Sequence, residues 1–288
     1  MNQTPTRRLG DAAVHPIGLG GMPLSLSGRP PEDQSIRTIH AALDAGVTLI
    51  DTADAYAYDE HDTGHNERLI AKALHGRRDG VLVATKGGHV RRGQAWEVDG
   101  RPEHIRAACE ASLRALETDV IDLYQFHRPD PDVPYAESVG AFKALQDEGK
   151  VRWVGLSNAT VAQLEEALEI VAVVSVQNQL ALDFTGPLER GEVQACEERG
   201  IAFLPWSPLG GIGRAGGTEG VAPVMAAAER HGASPQRVAL AWLLALSPVM
   251  IPIPGASRPE TITDSARAPE LALSEAEVRD ISAAVGVA

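Results

Sequence analysis

Cysteine is scarce: the 288 residues include two, Cys109 and Cys196, far apart and in separate helical stretches. Neither fits a metal-ligand or redox spacing, so the pair excludes a disulfide framework and points to inert thiols in a reducing compartment. Aromatic residues make up only 4% of the chain against 44% apolar, which leaves an aliphatic core of Ala, Leu and Val. No basic tract occurs. Lys plus Arg number 26 against 39 Asp plus Glu, and the formal charge of −13 repels a nucleic acid backbone and an anionic membrane surface alike. No apolar run reaches about 18 residues, and the opening MNQTPTRRLGDAAVHP has no apolar core for a signal peptide. The reading is a cytoplasmic protein with a small-molecule partner, no nucleic acid and no membrane; oligomeric state is left open.

What is present is an alternation. Short β-branched runs recur as IGLG at 17, VTLID at 47, VLVATK at 81, VIDLYQFH at 120, VRWVGLSN at 151, VVSVQNQ at 173, IAFLPWS at 201 and VMIPIPG at 249. Between them lie amphipathic stretches such as PEHIRAACEASLRAL, whose Ile105, Cys109, Ser112, Leu113 and Leu116 repeat at helical spacing. Strands that are nearly continuous apolar runs belong to a parallel sheet covered on both faces. Eight such units with no linker between them predict a single α/β domain over residues 1–288, a (β/α)8 TIM barrel, with a doubly wound sheet as the competing architecture.

Polar residues gather where these strands stop. The ends are Asp51, Lys86, His127, Ser157 with Asn158, Gln177, Trp206 with Ser207, and Gly255, while the strand starts carry little but Val and Ile. In a barrel these ends share one mouth, the place where such folds do their chemistry. Each residue alone reads as a solvated or satisfied polar group; the set reads otherwise. Tyr56 follows Asp51 by five residues, and Lys86 and His127 end the next two strands. A phenol is a weak acid, and a neighbouring ammonium stabilises its phenolate and lowers its pKa, so Lys86 would activate Tyr56 as a proton donor. Asp51 would hold the lysine, and His127 would orient a carbonyl oxygen. That chemistry suits reduction of an aldehyde or ketone. The remaining ends suit a nicotinamide: Ser157, Asn158 and Gln177 as partners of a carboxamide, Trp206 as a stacking ring, and IPGASRP as a phosphate seat with Arg258.

The segments DTADAY, NERLIAKAL, VATKGG, IDLYQFHRPDP, GKVRWVGLSN, PWSPLGG and IPIPGASRPE resemble the aldo-keto reductases, in order and over nearly the whole chain. The resemblance implies a barrel that binds NADPH in an extended pose, NADH less favourably. It implies Tyr56 as general acid, tuned by Lys86 and Asp51, with His127 positioning the carbonyl. Gly21 and Met22 would line the nicotinamide end, Ser157, Asn158 and Gln177 would hold the carboxamide, and Trp206 would stack on the ring. Ser207, Leu209 and Gly211 would follow the pyrophosphate, with Gly255, Ser257 and Arg258 near the adenosine phosphate. Three positions depart from the family pattern: Thr261 replaces a common Arg or Lys, Asp264 and Ser265 replace a common Glu-Asn beside the adenine, and Leu180 stands near where a Tyr is usual. The first two thin the grip on a 2′-phosphate.

Other signals carry less. GIGRAG at 211–216 matches G-x-G-x-x-G but opens no helix, and reads as a mobile loop over the cofactor. DEHDTGH at 59–65 has metal-like residues in what reads as a solvated loop, so no metal is assigned. Two other functions stay open: a lyase or aldolase with Lys86 as Schiff base, and a cofactor-sensing barrel without turnover. Substrate choice falls to loops 22–33, 56–66, 87–101 and 209–221, with Trp96, Tyr58 and Met22 as expected walls.

Overall fold

The computed structural model describes residues 5–211 and 215–287. Its strands are β1 (Arg7–Leu9), β2 (Ala12–Val14), β3 (Leu19–Gly20), β4 (Leu49–Asp51), β5 (Leu82–Gly87), β6 (His89–Arg92), β7 (Ala95–Val98), β8 (Ile121–Phe126), β9 (Val151–Ser157), β10 (Val173–Gln177) and β11 (Ala202–Phe203). Seven of them form one parallel sheet in the order β11-β10-β9-β8-β5-β4-β3.

The eighth run, 249–255, closes the sheet into a barrel without a full ladder. Phe203 N–H donates to Val249 O and Ile251 N–H to Phe203 O, both at the β11 edge, while Gly18 and Gly20 donate to the carbonyls of Pro252 and Pro254 at the β3 edge. The two prolines have no N–H to return, so the β3 side of the seam is bonded in one direction only. That is why the predicted eighth strand is present as backbone pairing at Gly20–Gly255 and Phe203–Met250 and not as a regular strand.

Helices pack outside. Pro102–Ala115 turns Ile105, Cys109, Ser112 and Leu113 inward, the face its spacing predicts. Val161–Leu168 and Glu275–Ala284 begin in reciprocal caps, Thr160 with Gln163 and Ser274 with Glu277, each satisfying two backbone donors that a helix start leaves orphaned.

The barrel interior explains the placement of the polar ends. Leu49, Ala84, Leu123, Trp153, Ala202, Leu204, Ile251 and Ile253 share one buried cluster with Leu9 and Val14 of the β1–β2 hairpin, which plugs the floor. Side chains two residues apart on a strand share a face. One step up from that aliphatic layer therefore stand Asp51, Lys86, Gln125 and Gly155, and a further step up stand His127 and Ser157. The floor is hydrocarbon; the mouth is chemistry.

Candidate active site

Lys86 is fully buried, as are Asp51 at 2% exposure and Tyr56 at 7%. Its ammonium donates to Asp51 Oδ2 at 2.6 Å, to the Thr52 carbonyl at 2.8 Å and to Tyr56 Oη at 3.0 Å, using all three protons. Asp51 Oδ1 accepts from Gln177 Nε2 at 2.7 Å and Gln125 Nε2 at 3.2 Å. Burial disfavours the ammonium, but Asp51 and Tyr56 outweigh it, and the Lys86 pKa ends above its ordinary value.

The sequence predicts that Lys86 lowers the phenol pKa; the balance is different. Burial pushes Tyr56 up more than Lys86 pulls it down, and its pKa ends raised. The phenol is thus held protonated, with the cation in place to receive the charge left when the proton departs. His127 packs edge-on against Tyr56, ring centroids 5.8 Å apart. Burial first, then the charge of Lys86, drives its pKa well below the ordinary value, so the ring is neutral at pH 7. Its Nδ1 is buried without a hydrogen-bond partner among the described residues.

These groups open into a cavity of about 1020 Å³. It is lined by Asp51, Tyr56 and His127 and, of the predicted cofactor contacts, by Met22, Ser157, Asn158, Gln177, Trp206, Ser207, Leu209, Gly211, Gly255, Ser257, Arg258 and Asp264. Gly21 stands just behind this wall; its carbonyl accepts from Asn66 Nδ2 at 2.8 Å. Tyr58 is a correction. It is 43% exposed and absent from the cavity wall, where Trp96 and Met22 do appear. Residues 212–214 of GIGRAG lie outside the described residues. In the 59–65 loop, Asp59 caps a short turn and Asp62 pairs with Arg29.

Several observations fit this cavity to a nicotinamide dinucleotide. Asn158 and Ser207, two of the three described non-glycine residues with left-handed backbone, have φ of 57° and 50° and both line it; strain of this kind collects at functional sites. Trp206 carries a buried indole N–H without a described partner. A Cβ on Gly255 would stand 2.7 Å from Pro23 Cγ, so only glycine allows the close wall there. Arg258 supplies a cation that pairs with no described residue, whereas Asp264 is already bound to Arg237 and Ser234.

The sequence reading missed the braces. Gln125 sits mid-strand in an apolar run, and only its inward register discloses it. Asn66 donates to Gly21 O and accepts from Thr52 Oγ1 at 2.6 Å, and Glu67 accepts from Thr85 Oγ1 at 2.6 Å, so NERLIAKAL anchors the C-terminal parts of three strands, β3, β4 and β5, from a helix. The β6–β7 hairpin was also unforeseen; it folds Trp96 to 6.3 Å from the Tyr56 ring and His89 to 4.3 Å from the His127 ring. Among the described residues no group of three or more His, Cys, Asp or Glu is placed to hold a metal, and no helix is long and apolar enough to cross a membrane.

A barrel with this mouth defines a class, the TIM-barrel oxidoreductases, and comparison with known proteins narrows it. The model of the aldo/keto reductase family matches residues 16–285, and the chain belongs to that family. It is 35% identical over 280 residues to an uncharacterized oxidoreductase of Schizosaccharomyces pombe, covering 95% of this chain and 87% of the relative. A probable aldo-keto reductase 1 of Glycine max is 34% identical, with coverage of 95% and 86%. Among solved structures, a glycerol dehydrogenase of Gluconobacter oxydans superposes with a TM-score of 0.84 at 27% identity, covering 98% of this chain and 96% of that one. An aldo-keto reductase of Klebsiella pneumoniae in complex with NADPH gives 0.82 at 28% identity, covering 99% and 96%. The protein is accordingly an oxidoreductase that reduces carbonyl compounds with a nicotinamide cofactor.

Proposed function

We propose that the whole 288-residue chain works as one cytoplasmic NADPH-dependent reductase of aldehydes or ketones, with Tyr56 as general acid. The observation that carries this is the buried chain Asp51–Lys86–Tyr56, linked at 2.6 and 3.0 Å and ending at a cavity. Met22, Ser157, Asn158, Gln177, Trp206, Ser207, Leu209, Gly211, Gly255, Ser257 and Arg258 would hold NADPH, with Gly21 behind the nicotinamide end and Asp264, bound to Arg237 and Ser234, at the adenine end; the bound cofactor would supply the hydride.

The chain's own residues do the rest. Tyr56 Oη gives its proton to the carbonyl oxygen as negative charge develops there, and the phenolate left behind is stabilised by Lys86. Asp51 keeps that ammonium charged and in place, itself fixed by Gln177 and Gln125. His127, neutral, offers a hydrogen bond to the same oxygen without competing as an acid. A Schiff base on Lys86 would need a free amine, and the raised pKa with three occupied donors argues against one. For the phosphate form of the cofactor, Arg258 is the supporting cation.

Tyr56→Phe tests the acid: kcat for an aldehyde should fall at least about 10³-fold while NADPH affinity changes less than about two-fold. Retained turnover would remove Tyr56 from the role. Cofactor choice is read from tryptophan quenching with NADPH and with NADH. Arg258→Ala should weaken NADPH about ten-fold and NADH hardly at all; equal losses would refute the 2′-phosphate contact.

A further inference from the structure

The chain is strongly acidic, yet its cavity is not. Three acidic residues line it, and each has a partner: Asp51 with Lys86, Glu97 with Arg92, Asp264 with Arg237. Two arginines line it, Arg128 and Arg258, and the guanidinium of neither bonds or pairs with a described residue, Arg258 being held only through its carbonyl, which accepts from Thr261 and Ile262 N–H. The cavity therefore has two uncompensated positive charges.

They lie on opposite sides. Arg128 follows β8, the fourth barrel strand counted from β3, and Arg258 follows the eighth, the 249–255 run; in a closed ring of eight these are diametrically placed. Arg258 is engaged by the proposed cofactor phosphate. One extended dinucleotide running from the nicotinamide end to Arg258 leaves Arg128 untouched. Elsewhere on the surface an exposed arginine is a solvated charge. This one adjoins His127 in sequence, and its charge reaches both His127 and His89, whose basicity it depresses. Neither nearby carboxylate bonds it: Asp130 Oδ2 accepts from Gly100 N at 2.7 Å, and Asp99 holds Arg101 at 2.6 Å. Around it the wall is Trp96, His89 and Val98, apolar or neutral.

We infer that the substrate is a carbonyl compound that also carries a carboxylate, received by Arg128 while its carbonyl oxygen meets Tyr56 and His127. A guanidinium fork presents two parallel N–H donors that match a carboxylate in a bidentate pair, and it stays charged at any working pH. This inference rests on the reductase reading above and narrows its substrate. Arg128 acts in binding and specificity, not in the chemical step.

The test compares 4-carboxybenzaldehyde with methyl 4-formylbenzoate, which has the same ring and reach but no charge, using NADPH and the wild type, Arg128→Gln and Arg128→Lys. The wild type should show a KM about ten-fold lower for the acid than for the ester. Arg128→Gln should raise the acid's KM about ten-fold with kcat held, leave both constants for the ester unchanged, and lose less when Lys is placed there instead. Equal effects on acid and ester, or a wild type that prefers the ester, overturn the inference while leaving the reductase reading standing. A wild type that reduces neither aldehyde with either nucleotide overturns both.

Discussion

Glu67 is 1% exposed and lies near Lys86, bonded by the Thr85 hydroxyl, with the buried Asp54 carboxyl close enough to feel its charge. Burial is the main reason its pKa rises from 4.5 to about 6. A raised acid pKa stabilises the fold fully below the unfolded value, and that contribution is lost as pH climbs through the folded value. At neutral pH the carboxylate is therefore a cost, on the order of 2 kcal/mol. Glu67→Gln keeps an acceptor for Thr85 and removes the charge. Urea denaturation at pH 7.5 should find the variant more stable by about that amount, and the gap should shrink towards zero as pH falls from 6 to 4.5. His127, with its depressed pKa, pulls stability the opposite way on acidification in both proteins equally, and the buried Asp54 carboxyl, raised by burial and then by the Glu67 charge, is relieved of that charge in the variant, which adds to the gap in the same direction. A gap independent of pH would mean that Glu67 is not the titrating group. The residue scale also shows what sequence discloses: Asp51, Lys86 and His127 end their strands, where a change from apolar to polar is visible. Gln125 is flanked by Tyr124 and Phe126, while Glu67 stands between Asn66 and Arg68 in what looks like a solvated helix start, and only the register of the folded strand or helix turns them towards Asp51 and Thr85.

Among the elements, β9 bears most directly on the site. Gly155 is level with Gln125 and Ser175 in the ladder. A Cβ there would overlap Ser175 Oγ and come within 3.0 Å of Gln125 Cγ. Gly155→Ala should cost about 1–3 kcal/mol in stability by overpacking. It should also lower kcat by shifting the amide that braces Asp51, a loss that Gly140→Ala, in open space on a helix, should not share. Loss of stability with kcat unchanged would show that Gln125 does not brace the acid. Strand and helix periods were legible because each recurs several times with the same composition. The β6–β7 hairpin was not, since its short, polar, half-exposed strands within a glycine-bounded segment look like any loop. The 249–255 run reads as a strand from its apolar residues, while its prolines decide that half of its bonds are missing.

For the whole molecule, both thiols belong to the aliphatic shell between sheet and helices, and burial pushes each up to about 12. The native protein should leave Cys109 and Cys196 unreacted with an aromatic disulfide reagent at pH 8, and unfolding in guanidinium should release both at once. Rapid native labelling of either would contradict the packing. The overall architecture was readable because eight similar units leave few ways to arrange them. The β1–β2 plug escaped notice: six short residues ahead of the first barrel strand carry no period of their own.

That plug makes the barrel a blind well. Two molecules sharing a shaft with one opening must queue: the one seated deeper enters first and leaves last. Steady-state kinetics should then carry the marks of a compulsory order, with the shallower guest able to trap its predecessor when supplied in excess.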